Sequence, residues 1–293
     1  MLLNFVVVAG GITGGIERAN KILMPALFAI LLILLGYGMV AADLPAAFRF
    51  MFHFEPAAIS AKVILAAMGH AFFTLSLGMG AIMTYGSYLG RETPIGRTCL
   101  YIGAADTAIA LLAGLSIFAI VFAQGLEPAA GPGLILQTLP IAFSQMPFGG
   151  VIGVLFFLLV VFAAWTSSIS LIEPPSALLI ERFGLRRPVA VGLVCLAAWL
   201  LGIAVALSFN DWGHIKLFGL NIFDLLDTLT TKIMMPTAGL LIALFVGWRM
   251  QRAHVEDEIA LSAGSFKLWF AVLRYLSPVA IVLIFLNVIG VIG

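Results

Sequence analysis

A chain of 293 residues that is 62% hydrophobic and 10% charged, with a net charge of +1, is too apolar for a soluble domain of its size. Apolar runs of about twenty residues recur along it, which predicts an all-α polytopic membrane protein; a β-barrel would instead show short alternating segments. The near-neutral charge argues against a nucleic-acid partner.

The first apolar segment, Leu2 to Gly10, is short. About nine residues at 1.5 Å each reach roughly 14 Å, against a hydrocarbon core of about 30 Å. Gly11-Ile12-Thr13-Gly14-Gly15 and a charged loop follow. The segment reads either as a re-entrant or interfacial piece or as the tail of a span whose beginning is absent, and N-terminal truncation is the expectation. Full spans are expected at 22–42, 61–90, 98–123, 150–181, 188–208, 222–247 and 268–292. The loops at 14–21, 91–97, 182–187 and 249–267 hold Arg18, Lys21, Arg91, Arg97, Arg182, Arg186, Arg187, Arg249, Arg252 and Lys267. The alternate loops hold only Arg49, Lys62 and Lys216. Ten cations against three on alternating loops place the basic loops in the cytoplasm. Cys99 and Cys195 lie in apolar context without metal spacing and read as packing residues. His53, His70, His214 and His254 are scattered, with no paired catalytic spacing, so an enzyme is not expected.

Within 61–90, the run Ser76-Leu77-Gly78-Met79-Gly80 interrupts a helix at a depth where lipid offers no hydrogen bonds. Such a break is tolerated where protein or a water-filled cavity surrounds it, and it exposes helix ends that favour ions. Two readings stand: a small ion and solute site flanked by Thr74 and Ser76, or glycines that permit close helix packing. In 150–181, helical spacing puts Ala163, Thr166, Ser167, Ser170, Leu171 and Pro174 on one face. That face suits a hard cation such as Na⁺, which prefers oxygen ligands. It equally suits a small-residue helix interface with hydroxyls bonded to their own backbone. Asp106 sits inside the span 98–123, where a carboxylate is costly and usually functional. Asp224, Asp227 and Glu181 lie at span ends, where position alone suggests solvated faces. Glu173 and Lys232 lie deeper, each without an identifiable partner.

Together these features resemble the neurotransmitter:sodium symporter family, in its bacterial amino-acid-transporting branch. Gly15-Ile16-Glu17-Arg18-Ala19-Asn20-Lys21 with Met24-Pro25 is similar to the family's loop between spans 4 and 5. Phe72-Phe73-Thr74-Leu75-Ser76-Leu77-Gly78-Met79-Gly80 resembles its unwound span 6, and Trp165-Thr166-Ser167-Ser168 its span 8. Phe223-Asp224-Leu225-Leu226-Asp227 resembles the start of span 10. The likeness runs in order over essentially the whole chain.

The resemblance implies an inverted-repeat symporter fold with broken helices, the second repeat complete and the first mostly missing. On this reading residues 1–60 hold the tail of span 4 and span 5, 61–250 hold spans 6 to 10, and 251–293 hold a cytoplasmic loop and span 11. It implies a sodium-coupled amino-acid symporter in the bilayer of a bacterial inner (plasma) membrane. Lacking spans 1 to 3, the chain is expected to be inactive alone; the missing N-terminal half could be separately encoded, and a non-transporting membrane remnant or partner protein is the alternative. Thr74 and Asp106 resemble ligands of the first sodium site, Asp106 standing where the family commonly has Asn. Ala163, through its carbonyl, and the hydroxyls of Thr166 and Ser167 resemble the second sodium site. Phe73, Ser76, Met79, Ser167 and Leu171 match substrate-pocket positions, with Phe73 as a lid. Met79 and Leu171 make the implied pocket apolar, so a hydrophobic or aromatic amino acid is expected. Tyr88 and Glu181 match the inner gate and Asp227 the outer gate. Asp106 already supplies a negative charge beside Na⁺, so chloride is expected not to be required.

Overall fold

The computed structural model describes residues 1–90, 92–128 and 133–290, the side chain of Val288 aside. Arg91 of the basic set and residues 291–292 of the last expected span lie outside the described residues. The described chain is helical, without a strand. In order come α1 (Leu2–Ala9), α2 (Ile12–Ala41), α3 (Leu44–Phe52), α4 (Ala61–Thr74), α5 (Ala81–Ser87) and α6 (Ile95–Ala123). Then follow α7 (Leu134–Gln145), α8 (Gly149–Phe183), α9 (Arg187–Ser208), α10 (Ile222–Arg249), α11 (Arg252–Ile259) and α12 (Ala263–Asn287).

Local chemistry sets several helix starts. Side chains of Asp43, Ser60, Asn221 and Ser262 each accept a bond from a backbone N–H in the first turn of α3, α4, α10 and α12. These bonds satisfy donors that have no partner inside the helix. Pro188 is the second residue of α9, in the first turn, where its missing N–H costs nothing. The expected loop at 14–21 is helical instead. Its Glu17 and Lys21 pair across one turn at 2.6 Å, a spacing that supports a helix. Gly15 also lies so close to α1 that a Cβ there would sit 1.9 Å from the Val7 carbonyl oxygen. The expected span 61–90 resolves into α4 and α5, separated by Leu75–Gly80.

The chain divides into two compact units: Leu2–Glu55 with Ala105–Ser170, and Met1 with Pro56–Ala104 and Leu171–Gly293. In the first, α2, α6, α7 and α8 bury a core of Ile30, Leu34, Ile120, Leu139, Phe143 and Phe156. The Tyr37 hydroxyl donates to the Pro147 carbonyl at 2.7 Å. Ser168 of α8 donates to the side-chain oxygen of Asn4, buried in α1, at 3.1 Å. In the second unit, α12 packs on both α4 and α10. Val255, Phe266 and Phe270 form a small core where α11 meets the start of α12. Wide turns with five-residue bonding, at Thr228–Met234 and Phe245–Arg249 in α10 and Val272–Leu276 in α12, loosen these long helices.

Candidate functional site

The break after α4 is built from backbone. Ser76, Gly78 and Gly80 have φ of 54°, 83° and 82°, conformations that end a right-handed helix. Leu77 N–H bonds to the Phe72 carbonyl at 3.1 Å and Met79 N–H to Ser76 at 3.4 Å. Among the described residues, no backbone N–H reaches the carbonyls of Leu75, Leu77, Gly78 or Met79. Free carbonyls of this kind are cation ligands. Close packing operates here as well. A Cβ on Gly78 would meet the Met235 carbonyl oxygen at 2.3 Å, and a Cβ on Gly239 would meet the Phe72 ring at the same distance. The close-packing reading holds, since Gly78 seats the unwound segment against α10; the segment also presents carbonyl oxygens that no backbone N–H reaches among the described residues. Phe73 and Thr74 are exposed, while Ser76 and Met79 are half-buried.

On α8, Thr166 donates to the carbonyls of Phe162 at 3.1 Å and Ala163 at 3.0 Å. Ser170 bonds back to Thr166, and Ser168 to Trp165. This back-bonding is what a plain helix-packing face would show. It also sets the Thr166 hydroxyl oxygen beside the Ala163 carbonyl, a pair of oxygens with lone pairs to spare. Ser167 is exposed, with no side-chain hydrogen bond among the described residues, and Leu171, one turn on, is exposed too. Asp106 is half-buried on α6. It belongs to the first unit and Thr74 to the second, and each is placed here on its own helix.

The Tyr88 hydroxyl, just past α5, donates to Glu173 at 2.8 Å. Arg187, the first residue of α9, meets the other oxygen of the same carboxylate at 2.5 Å. Glu173 has no solvent exposure. A buried carboxylate is tolerated only when paired and hydrogen-bonded, and both conditions are met. Sequence reasoning left Glu173 without a partner and counted Arg187 only as a topological charge; a deep carboxylate eight residues before Glu181 was the available signal. Glu181 and Asp227 are exposed. Thr231 donates to the Asp227 carbonyl at 2.6 Å.

A cavity of about 280 Å³ lies between α4, α10 and α12, lined by His70, Phe73, Thr231, Lys232 and Met235 among others. Lys232 faces it, and no carboxylate pairs with it among the described residues. Cys99 and Cys195 are free thiols, the first exposed and the second buried.

Six helices are long and apolar enough to cross a membrane among the described residues, and α4 and α5 are joined through an unwound segment. These features define a multi-pass helical membrane protein. The chain belongs to the sodium:neurotransmitter symporter family, whose model matches residues 1–292. It is 36% identical over 299 residues to the uncharacterized sodium-dependent transporter YhdH of Bacillus subtilis, covering 100% of this chain and 66% of that one. An uncharacterized sodium-dependent transporter of Haemophilus influenzae is 35% identical, covering 98% of this chain and 63% of that one. The crystal structure of MhsT in complex with L-phenylalanine superposes with a TM-score of 0.87 at 38% identity, covering 98% of this chain and 66% of MhsT. The chain thus spans just under two thirds of the length of these relatives.

Proposed function

We propose that this chain is part of a transporter that couples import of a hydrophobic or aromatic amino acid to Na⁺ entry, by alternating access in a bacterial inner membrane. The observation that carries the reading is the unwound segment Leu75–Gly80, with its unpaired carbonyls inside an apolar span. The family resemblance assigns Thr74 and Asp106 as sodium ligands, and likewise the Ala163 carbonyl and the hydroxyls of Thr166 and Ser167. Phe73, Ser76, Met79, Ser167 and Leu171 take the amino acid. The side chains of Met79 and Leu171 favour an apolar substrate, and the phenylalanine in the MhsT complex supports that choice. Coupling is local, because ion and substrate draw on the same short segments, Thr74–Ser76 and Ser167, so filling one site organises the other.

Tyr88, Glu173 and Arg187 close the cytoplasmic side together with Glu181, and Asp227 serves the outer side. The Asp106 carboxylate balances the sodium charge, so chloride is not needed. The 293 residues, which span just under two thirds of these relatives' length, are expected to transport only at background on their own.

The test is uptake of labelled phenylalanine, leucine, glycine and glutamate into proteoliposomes carrying the gene product as the cell makes it. The expected result is uptake of the apolar substrates under an inward Na⁺ gradient. Equal uptake when choline replaces Na⁺ overturns the coupling, and a preference for glycine or glutamate overturns the substrate class. Uptake above background by the purified 293-residue chain overturns its inactivity alone.

A further inference from the structure

Arg274 lies about three turns into α12, within an apolar helix, and no acceptor for its guanidinium is found among the described residues. Its side chain stacks on two rings: the Trp248 ring, 4.4 Å from the guanidinium carbon, and the Tyr275 ring at 5.7 Å. The Trp248 indole N–H donates to the Arg274 carbonyl at 3.2 Å. That carbonyl lies in the wide turn Val272–Leu276, which packs on the matching wide turn Phe245–Arg249 of α10. Gly247 makes the approach possible, because a Cβ there would sit 3.1 Å from the Arg274 Cα. The arrangement is therefore held from both helices.

Depth follows from the contact. Trp248 is the penultimate residue of α10, so Arg274 lies level with the end of that helix although well inside α12. The first turns of α12 pack Phe266 and Phe270 on Val255 of α11 and on Val246 near the end of α10. Trp248 and Tyr275 are exposed, as are Leu241, Phe245, Leu268, Leu276 and Val279 around them. Exposed apolar side chains in a membrane span face acyl chains, and Trp, Tyr and Arg at such a level lie at the headgroup boundary. The side is the one that the basic loops assign to the cytoplasm, where anionic lipids concentrate. Arg274 is half-buried with its Nε sealed, so the N–H donors of its terminal nitrogens, which lie in one plane, are the ones left for a phosphate. Neighbouring Arg249 adds an exposed cation.

We propose that Arg274, Trp248 and Tyr275 form a binding site for the phosphate of an anionic phospholipid of the cytoplasmic leaflet. The inference requires the chain to lie in the membrane and does not rest on the transport reading.

The experiment is native mass spectrometry of the purified chain, incubated with equal amounts of phosphatidylglycerol and phosphatidylcholine bearing the same acyl chains. Wild type is expected to retain phosphatidylglycerol over phosphatidylcholine by roughly fivefold or more, as about 1 kcal/mol per surface cation gives. Arg274→Gln brings the two lipids to parity, and Lys267→Gln, which changes an exposed cation outside the ring stack, leaves the preference in place. Photoactivatable phosphatidylglycerol cross-links to the peptides holding 245–249 and 272–276. This arm uses wild-type protein and stands even if Arg274→Gln does not fold. Equal retention of both lipids by wild type, an unchanged preference in Arg274→Gln, or cross-links confined to other helices overturns the proposal. Full displacement of the lipid by millimolar inorganic phosphate also overturns it, since the site would then be one for a soluble anion.

Discussion

The Glu173 carboxylate, sealed from solvent in α8, is held by the Arg187 guanidinium at the start of α9, 2.5 Å away. The charge cannot be hydrated, so its tolerance depends on this partner and on the Tyr88 hydroxyl. Removing one member of a buried pair leaves an uncompensated charge and costs about 3–5 kcal/mol, whereas removing both can be nearly neutral. Arg187→Gln is therefore expected to destabilise strongly, and Glu173→Gln with Arg187→Gln to recover much of the loss. Tyr88→Phe removes one hydrogen bond to a charged group and should cost about 1.5–3 kcal/mol. Denaturant unfolding in detergent of wild type, Arg187→Gln, Glu173→Gln, the double variant and Tyr88→Phe checks the pattern; a double-variant loss equal to the sum of the two single losses would show that the two charges are not coupled.

Gly78 and Gly80 share the same left-handed backbone but differ in their surroundings. A methyl on Gly78 collides with the Met235 carbonyl oxygen at 2.3 Å, while one on Gly80 meets only the Pro174 Cβ at 3.8 Å. Gly80→Ala should therefore cost about 1–2 kcal/mol of backbone strain. Gly78→Ala should cost that plus roughly 1–3 kcal/mol for overpacking against α10. Gly36→Ala, inside α2 and facing open space, should gain about 0.5–1 kcal/mol. Melting temperatures ranked Gly36→Ala above wild type, then Gly80→Ala, then Gly78→Ala, would match; equal losses at 78 and 80 would mean that α10 yields to the added methyl.

Length and apolarity made the spans legible in the sequence, because a run of about twenty apolar residues has few alternatives in a membrane protein. The break at 76–80 was legible for a similar reason: Gly78 and Gly80 remove the preference for helix where lipid cannot compensate. The contacts across sequence were not. Tyr88 and Glu173 are 85 residues apart, and nothing local to either residue names the other. Arg187 is one of a cluster of basic residues whose shared topological meaning hid its individual pairing. The short helices α3 and α7 lie outside the expected spans. The wide turns in α10 and α12 are not encoded in apolar periodicity. For the sodium-site residues, the structure places oxygens on α8 and at the unwound segment, while their roles remain the proposal made from resemblance.

Thr166 gives the sharpest test of the second sodium site. Its hydroxyl sits 3.0 Å from the Ala163 carbonyl oxygen, so both can face one cation. On the proposed assignment, Thr166→Ala deletes one ligand and should raise the Na⁺ concentration for half-maximal uptake by about tenfold, the equivalent of about 1.4 kcal/mol. Thr166→Ser keeps the oxygen and should restore the wild-type curve. A purely structural role predicts less folded protein with unchanged sodium dependence. An activation curve that does not move in Thr166→Ala rejects the assignment.

Asp106 leads to a prediction about anions. A sodium ion bound in a poorly hydrated span needs nearby negative charge, because opposite charges a few ångströms apart interact far more strongly there than in water. A fixed carboxylate meets that need without a mobile anion. Uptake by the wild-type transporter should therefore be the same in sodium chloride and in sodium gluconate. Asp106→Asn removes the charge but keeps an oxygen, so its uptake should fall in gluconate and recover in part when chloride is returned. The measurement is initial uptake rate at fixed Na⁺ across a chloride series. A wild-type rate that collapses in gluconate would mean that the charge balance comes from chloride, and that Asp106 has another task on α6.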